Sequence, residues 1–213
     1  MGTIDVTPDP RILEVITHNP MPTINALCEL IDNSIDGFSI ASEKGIKIPN
    51  PIINIELPSR GEIDAGIGRL VIRDNGPGLS EEEANNAVRA GFRGKEVIGR
   101  LGLFGMGFNI STGKLGKKTV FKTMRSEDDN IFSITIDIPS LVSSRVFNVP
   151  VEQLPKPEKD GRGVEIEISE WWEEGTQNFG FVKKISRFRC PENYKADRAE
   201  VFFITSEKYK NFC

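Results

Sequence analysis

The sequence predicts an α+β fold, and three features carry that prediction. Residues 22–42 show one long helical period, with Ile24, Leu27, Ile31, Ile35 and Phe38 along one side. Two strand-like runs follow at 51–57 and 69–73, separated by a polar turn containing Gly61, Gly66 and Gly68. Three further strands are predicted at 117–124, 131–138 and 163–168. In the last of these Val164, Ile166 and Ile168 alternate with Glu165 and Glu167, so the sheet has one wet face and its helices belong on the other.

The remaining elements follow from local chemistry. Asp9-Pro10 is a helix start, with Asp as cap and Pro in the first turn, and the helix runs to about Thr17. Pro20-Met21-Pro22 then resets the chain for the long helix, whose end is marked by Gly45. Ser80-Glu81-Glu82-Glu83 opens another helix, a Ser cap followed by acidic first-turn residues. Residues 89–107 are rich in glycine without a period, yet keep Leu, Phe, Ile and Val, which reads as a partly packed lid. A short helix is expected from Phe108 to about Thr112, a loop over the Pro-rich 149–157 and a helix over 180–188. The last 25 residues or so are the least legible.

Composition excludes several classes. Hydrophobic residues make up 38% and charged residues 27%, the balance of a globular protein. No apolar run reaches the roughly 20 residues of a membrane span, and the N-terminus lacks a basic-then-apolar signal pattern, so a cytoplasmic location is expected. Cys28, Cys190 and Cys213 are odd in number and lack metal-type spacing. Neither a disulfide framework nor a zinc site is predicted, and Cys28 is expected to be a small buried residue. The single histidine, His18, has no partner of its kind nearby and reads as structural or exposed. The net charge of −4 gives no support to a nucleic-acid partner. The lysines at 114, 117, 118 and 122 and the basic residues at 183, 184, 187 and 189 read as solvated faces.

The chemistry is concentrated in three short stretches. On the long helix Asn25, Glu29, Asn33 and Asp36 share a face opposite the apolar one. A solvated helix face is usually built of long Lys and Glu side chains, whereas this one carries short oxygen-bearing groups. Oxygens at i and i+4 can hold a hard cation and a water side by side. Asp74-Asn75-Gly76-Pro77-Gly78 places a carboxylate at the end of a strand, before glycines that admit a flat ligand. A buried Asp without a Lys or Arg partner needs a donor, and the exocyclic amine of adenine is one, although a plain Asp-Gly turn fits the residues as well. Gly102-Leu103-Phe104-Gly105-Met106-Gly107-Phe108 precedes a helix, so its backbone N–H groups can converge on phosphate oxygens.

In order and spacing, Glu29-x-x-x-Asn33-x-x-Asp36, Asp74-x-Gly76-x-Gly78 and Gly102-x-x-Gly105-x-Gly107-Phe108 resemble the ATP-binding domain of the GHKL superfamily. Its members include gyrase, the ninety-kilodalton heat-shock chaperone, histidine kinases and MutL. The resemblance covers roughly residues 10–170 and looks nearest to MORC-like or chaperone-like proteins, including bacterial ones. It implies the Bergerat fold, a two-layer α/β sandwich with a mixed, mostly antiparallel sheet covered on one face by helices. It also implies an ATP-binding domain over residues 1–175, with a lid at about 89–107 and a C-terminal extension over 176–213.

On this resemblance Glu29 is the general base, Asn33 the Mg²⁺ ligand and Asp74 the acceptor of the adenine amine. Gly76 and Gly78 lie against the base. Gly102, Leu103, Phe104, Gly105, Met106, Gly107 and Phe108 form the phosphate-facing hinge, and Asp36 buttresses the site. Lys95 and Arg93 are candidate phosphate contacts, and a solvated loop charge fits each equally. The chain departs from the pattern at Arg162-Gly163-Val164, where Val164 stands in place of a Thr, which puts one polar contact near the base in doubt. Mg²⁺-dependent ATP hydrolysis with lid closure or homodimerisation acting on a partner is the activity implied. Turnover is expected to be slow without a Lys or Arg from a downstream domain. A non-hydrolysing ATP sensor and a histidine-kinase-type catalytic domain are the alternatives.

Overall fold

The computed structural model describes residues 3–4, 8–89, 107–159, 161–185, 194–196 and 199–205. Helix α1 (Arg11–Thr17) has Pro10 rather than the expected Asp9 at its N-cap, and the Asp9 carboxylate just before it accepts the Arg11 N–H at 2.9 Å. Helix α2 (Thr23–Glu43) follows the proline break. Its buried stripe is Thr23, Ala26, Leu27, Leu30, Ser34, Phe38 and Ala41, so the helix is rotated from the apolar face expected from sequence. Ile24, Ile31 and Ile35 only flank the core. The reason is the seat beneath the helix. A close approach to the sheet favours the small Ala26, Ser34 and Ala41, and the branched residues fill the margins.

Strand β1 (Ile52–Leu57) is followed by a helical turn, α3 (Arg60–Asp64), where a plain glycine turn was expected. Ser59 and Glu62 explain it: the Ser59 side chain accepts the Glu62 N–H, and the Glu62 carboxylate accepts the Ser59 N–H at 2.8 Å. Strand β2 (Leu70–Asp74) pairs antiparallel with β1, and α4 (Glu81–Val88) opens with the same reciprocal cap between Ser80 and Glu83. Helix α5 (Gly107–Leu115) leads into β3 (Lys118–Met124) and β4 (Asn130–Asp137). A further short helix, α6 (Ile138–Ser144), is capped by Asp137 and left no periodic signal.

Strand β5 (Val151–Pro155) corrects the loop expected over 149–157. It lies at the sheet edge beside β4, where proline costs no ladder bond. Strand β6 (Gly163–Ser169), helix α7 (Phe181–Ile185), and strands β7 (Tyr194–Ala196) and β8 (Ala199–Thr205) complete the described chain.

The strands form one sheet in the order β5-β4-β3-β6-β2-β1-β8-β7, antiparallel except for the β1–β8 pair. Ile53, Ile55, Leu70, Ile72, Phe121, Ile134, Ile166 and Ile168 form the inner face, clustered with Ala26, Leu27, Leu30, Phe38 and Leu115 of the helices. The result is a two-layer α+β sandwich with a mixed, mostly antiparallel sheet. Its other face is polar. Glu56, Arg73, Glu165 and Lys122, on the adjacent strands β1, β2, β6 and β3, form a continuous ladder with contacts of 3.2, 2.6 and 2.9 Å. Lys118 pairs with Glu170, Lys117 with Glu173 and Lys183 with Asp64, while Lys114 is 2% exposed with its ammonium 4.9 Å from the Phe181 ring centroid, which corrects the solvated position expected for it; Arg187 and Arg189 lie outside the described residues.

The start of β6 is packed hard against the end of β2. Gly163 has φ of 125°, and a Cβ on it would run into the Asp74 carbonyl oxygen. Gly163→Ala is therefore expected to cost about 2–4 kcal/mol of stability. A lowered midpoint in urea denaturation checks this, and an unchanged midpoint would show that the two backbones can separate freely.

Candidate nucleotide site

Strand β2 delivers Asp74 to the end of the sheet beneath α2. The residue is only 8% exposed, and three donors from three segments hold its carboxylate. Oδ2 accepts the Ser34 hydroxyl at 2.8 Å, while Oδ1 accepts Gly76 N–H at 2.8 Å and Val164 N–H at 3.3 Å. Burial pushes the carboxyl above the usual aspartate range, and the three hydrogen bonds oppose that rise. Among the described residues, no cationic side chain acts on it. A carboxylate can accept about four hydrogen bonds, so one direction remains for an amine on a ligand.

The loop after Asp74 is fitted to its surroundings. A Cβ on Gly76 would stand 2.7 Å from Asp74 Oδ1 and 3.7 Å from the Phe38 ring. Gly78 has φ of 73°, and a Cβ there would collide with the Met124 carbonyl, so the loop lies directly on the end of β3. Leu79 N–H donates to Thr123 Oγ1 at 2.7 Å. A cavity of about 1060 Å³ opens beyond Phe38, between the last turn of α2 and residues 45–49.

The exposed edge of α2 carries the second group of residues. Glu29, Asp32 and Asp36 are half-buried, and Asn33 is exposed. Burial, then the neighbouring Asp32, raises the Glu29 carboxyl above its ordinary range. Burial and Asp36 do the same to Asp32. Gly107, the first residue of α5, faces this edge: a Cβ there would stand 2.9 Å from Glu29 Oε2. The carboxylate therefore lies directly against the start of the helix, at a point where any side chain would crowd it. Phe108 packs edge-on against Phe121, with ring centroids 5.6 Å apart, and so anchors that start on β3.

Gly107 therefore meets Glu29 beside α2, with Asn33 one turn along the same helix, while on its core side Ser34 meets Asp74, Phe38 lies near Gly76, and Gly78 rests on β3. Lys95, Arg93, Gly102, Leu103, Phe104, Gly105 and Met106 lie outside the described residues. Cys28 is exposed, which corrects the buried position expected for it: on α2 it stands beside Glu29, not on the core stripe. Ser34 was missed because it sat between two apolar stripes. Its one sequence signal was a small hydroxyl residue amid isoleucines. Val164 has no side-chain hydroxyl, yet its backbone N–H contacts Asp74.

The family model described as histidine kinase-, DNA gyrase B-, and HSP90-like ATPase matches residues 21–161. The chain belongs to that family. No curated protein matches the chain. The family match starts just before α2 and ends just before β6, so it takes in Glu29, Asn33, Ser34, Asp74, Gly76, Gly78 and Gly107. Family membership, with the α+β sandwich, makes this an ATP-binding domain of the GHKL type. Among the described residues no His, Cys, Asp and Glu group could hold a metal by itself, and no helix is long and apolar enough to cross a membrane.

The Asp74 environment has a stability consequence. Its folded pKa is raised, so the ionised form is disfavoured in the native state. This contribution falls away as pH rises from the ordinary aspartate range through the raised folded value. Asp74→Asn keeps an oxygen for Gly76 and Val164 and offers an amide to Ser34, but carries no charge to bury. At neutral pH its unfolding midpoint is expected to equal or exceed that of the wild type, with a flatter pH dependence in thermal melts. A much lower midpoint would mean that the charge itself holds the site together.

Proposed function

We propose that this domain binds ATP with Mg²⁺ and hydrolyses it to ADP and phosphate, with lid closure or ATP-dependent homodimerisation coupling the reaction to a partner. The observation that carries this reading is the half-buried Glu29 carboxylate beside the side-chain-free face of Gly107, one helical turn before Asn33. Asp74 accepts the adenine amine through its remaining lone-pair direction, and the Gly76–Gly78 backbone lies along the base. Asn33 fits a Mg²⁺ ion that keeps most of its waters and phosphates, since its exposed carboxamide is a single neutral oxygen donor and, among the described residues, no carboxylate cage surrounds it. Bound Mg²⁺ supplies charge neutralisation on the phosphates.

Glu29 accepts a proton from water as that water's oxygen bonds to the terminal phosphorus and the bond to ADP breaks. The raised pKa suits this role, because a more basic carboxylate takes a proton more readily. Residues 102–108 and the side chains of Lys95 and Arg93 complete the phosphate contacts in this proposal, on sequence grounds. A non-hydrolysing sensor would share every binding contact and lack only the role of Glu29.

Two measurements test the reading. Glu29→Ala is expected to retain ATP binding while phosphate release falls by about 100-fold or more; normal release from that variant would remove Glu29 as the base. Asp32→Asn takes away a negative neighbour that raises the Glu29 pKa, so the acid limb of the pH–turnover profile is expected to move to lower pH. A limb that stays in place would mean that Glu29 does not set it.

A further inference from the structure

We propose that Thr123 is a positioning residue of the nucleotide site, its hydroxyl holding the base-binding loop in place of the hydroxyl absent at Val164. The inference rests on the ATP-binding reading and assigns a role on β3, where the three sequence motifs do not reach. In the β3–β6 ladder Thr123 stands directly opposite Val164, so the two side chains share the inner face of the sheet. Thr123 is 1% exposed, and its hydroxyl is fully engaged. It accepts the Leu79 N–H at 2.7 Å and has its one proton directed between Gly163 O at 3.4 Å and Leu79 O at 3.5 Å.

These bonds tie together three backbone segments that surround the base end of the site. Leu79 closes the loop that begins at Asp74. Gly163 abuts the Asp74 carbonyl, and Gly78 abuts the carbonyl of Met124, the residue after Thr123. Gly78 itself cannot donate a side-chain bond, and Pro77 has no N–H. Asn75 ties the start of the loop to β1, with Ile52 N–H donating to Asn75 Oδ1 at 2.8 Å, and at the far end Leu79 N–H on Thr123 fixes the loop against β3. Removing the hydroxyl takes the partner from a part-buried amide, and the loop can then shift away from β3 by the few tenths of an ångström that matter to a flat ligand. Thr123 does not touch the nucleotide in this assignment; it acts through Leu79 and Gly78.

Titration calorimetry with ATP on Thr123→Val and Thr123→Ser tests the assignment. The Val variant, nearly equal in shape, is expected to bind ATP about tenfold more weakly, and the Ser variant to recover to within about twofold of wild type. Equal weakening by Val and Ser, or wild-type affinity in a folded Val variant, would overturn the role of the hydroxyl while leaving the ATP-binding reading intact. Failure of the wild-type protein to bind ATP would remove both. Should the Val variant not fold, amide exchange at Leu79 in the wild type decides. Slow exchange that slows further with ATP is required, and exchange at the rate of an exposed loop overturns the proposal.

Discussion

The carboxylate of Asp74 is the constraint on which the rest of this structure depends. A buried carboxyl must be solvated by the protein, and among the described residues the solvating groups come from α2, from the loop after β2 and from the start of β6. To bring them to one point, the helix must seat Ser34 on its core side, the loop must turn back at Gly76, and β6 must begin alongside β2. The small residues along α2 and the close approach of Gly163 follow from that convergence. The hydrogen bonds hold the charge in place but do not cancel the cost of burial, as the raised pKa records.

That arrangement also divides one helix into two chemical zones. Toward its N-terminal half α2 presents Glu29, Asp32 and Asn33 at a partly solvated edge, where burial and then the Asp32 charge raise the Glu29 carboxyl. The residue after Asn33, Ser34, lies on the buried face of the same helix, toward the base end of the site. Helix geometry sets the spacing between the zones, and the packing of α5 and β3 sets the walls. Gly107 and Gly78 are the places where those walls come closest, against a carboxylate in one case and a carbonyl in the other. The open sheet face, with its ladder from Glu56 to Lys122, holds strand register on the side away from this chemistry.

Most of the architecture was legible in the chain because its signals are local. The proline break, the Ser80 cap and the alternating strands each state their structure within a few residues, and β1, β2, β3, β4 and β6 lie close to where they were expected. The elements missed are those whose cause lies elsewhere or in a short cap. Strand β5 exists because β4 offers it an edge; α3 exists because Ser59 and Glu62 cap each other, which outweighs the nearby glycines. The seat of α2 was misjudged because helical periodicity reports an apolar arc without weighting residue size, and the sheet selected the small side chains within reach of it.

By itself the sequence determined the family pattern of the site: Glu29 and Asn33 one turn apart, and an aspartate running into glycines. These depend only on helix pitch and on which residue types can approach a ligand. Tertiary structure decided what surrounds them. Ser34 and the Val164 amide meet Asp74, and Thr123 meets Leu79, across 40, 90 and 44 residues of chain. No local pattern encodes such meetings, because each is set by strand order and by the register of β3 against β6.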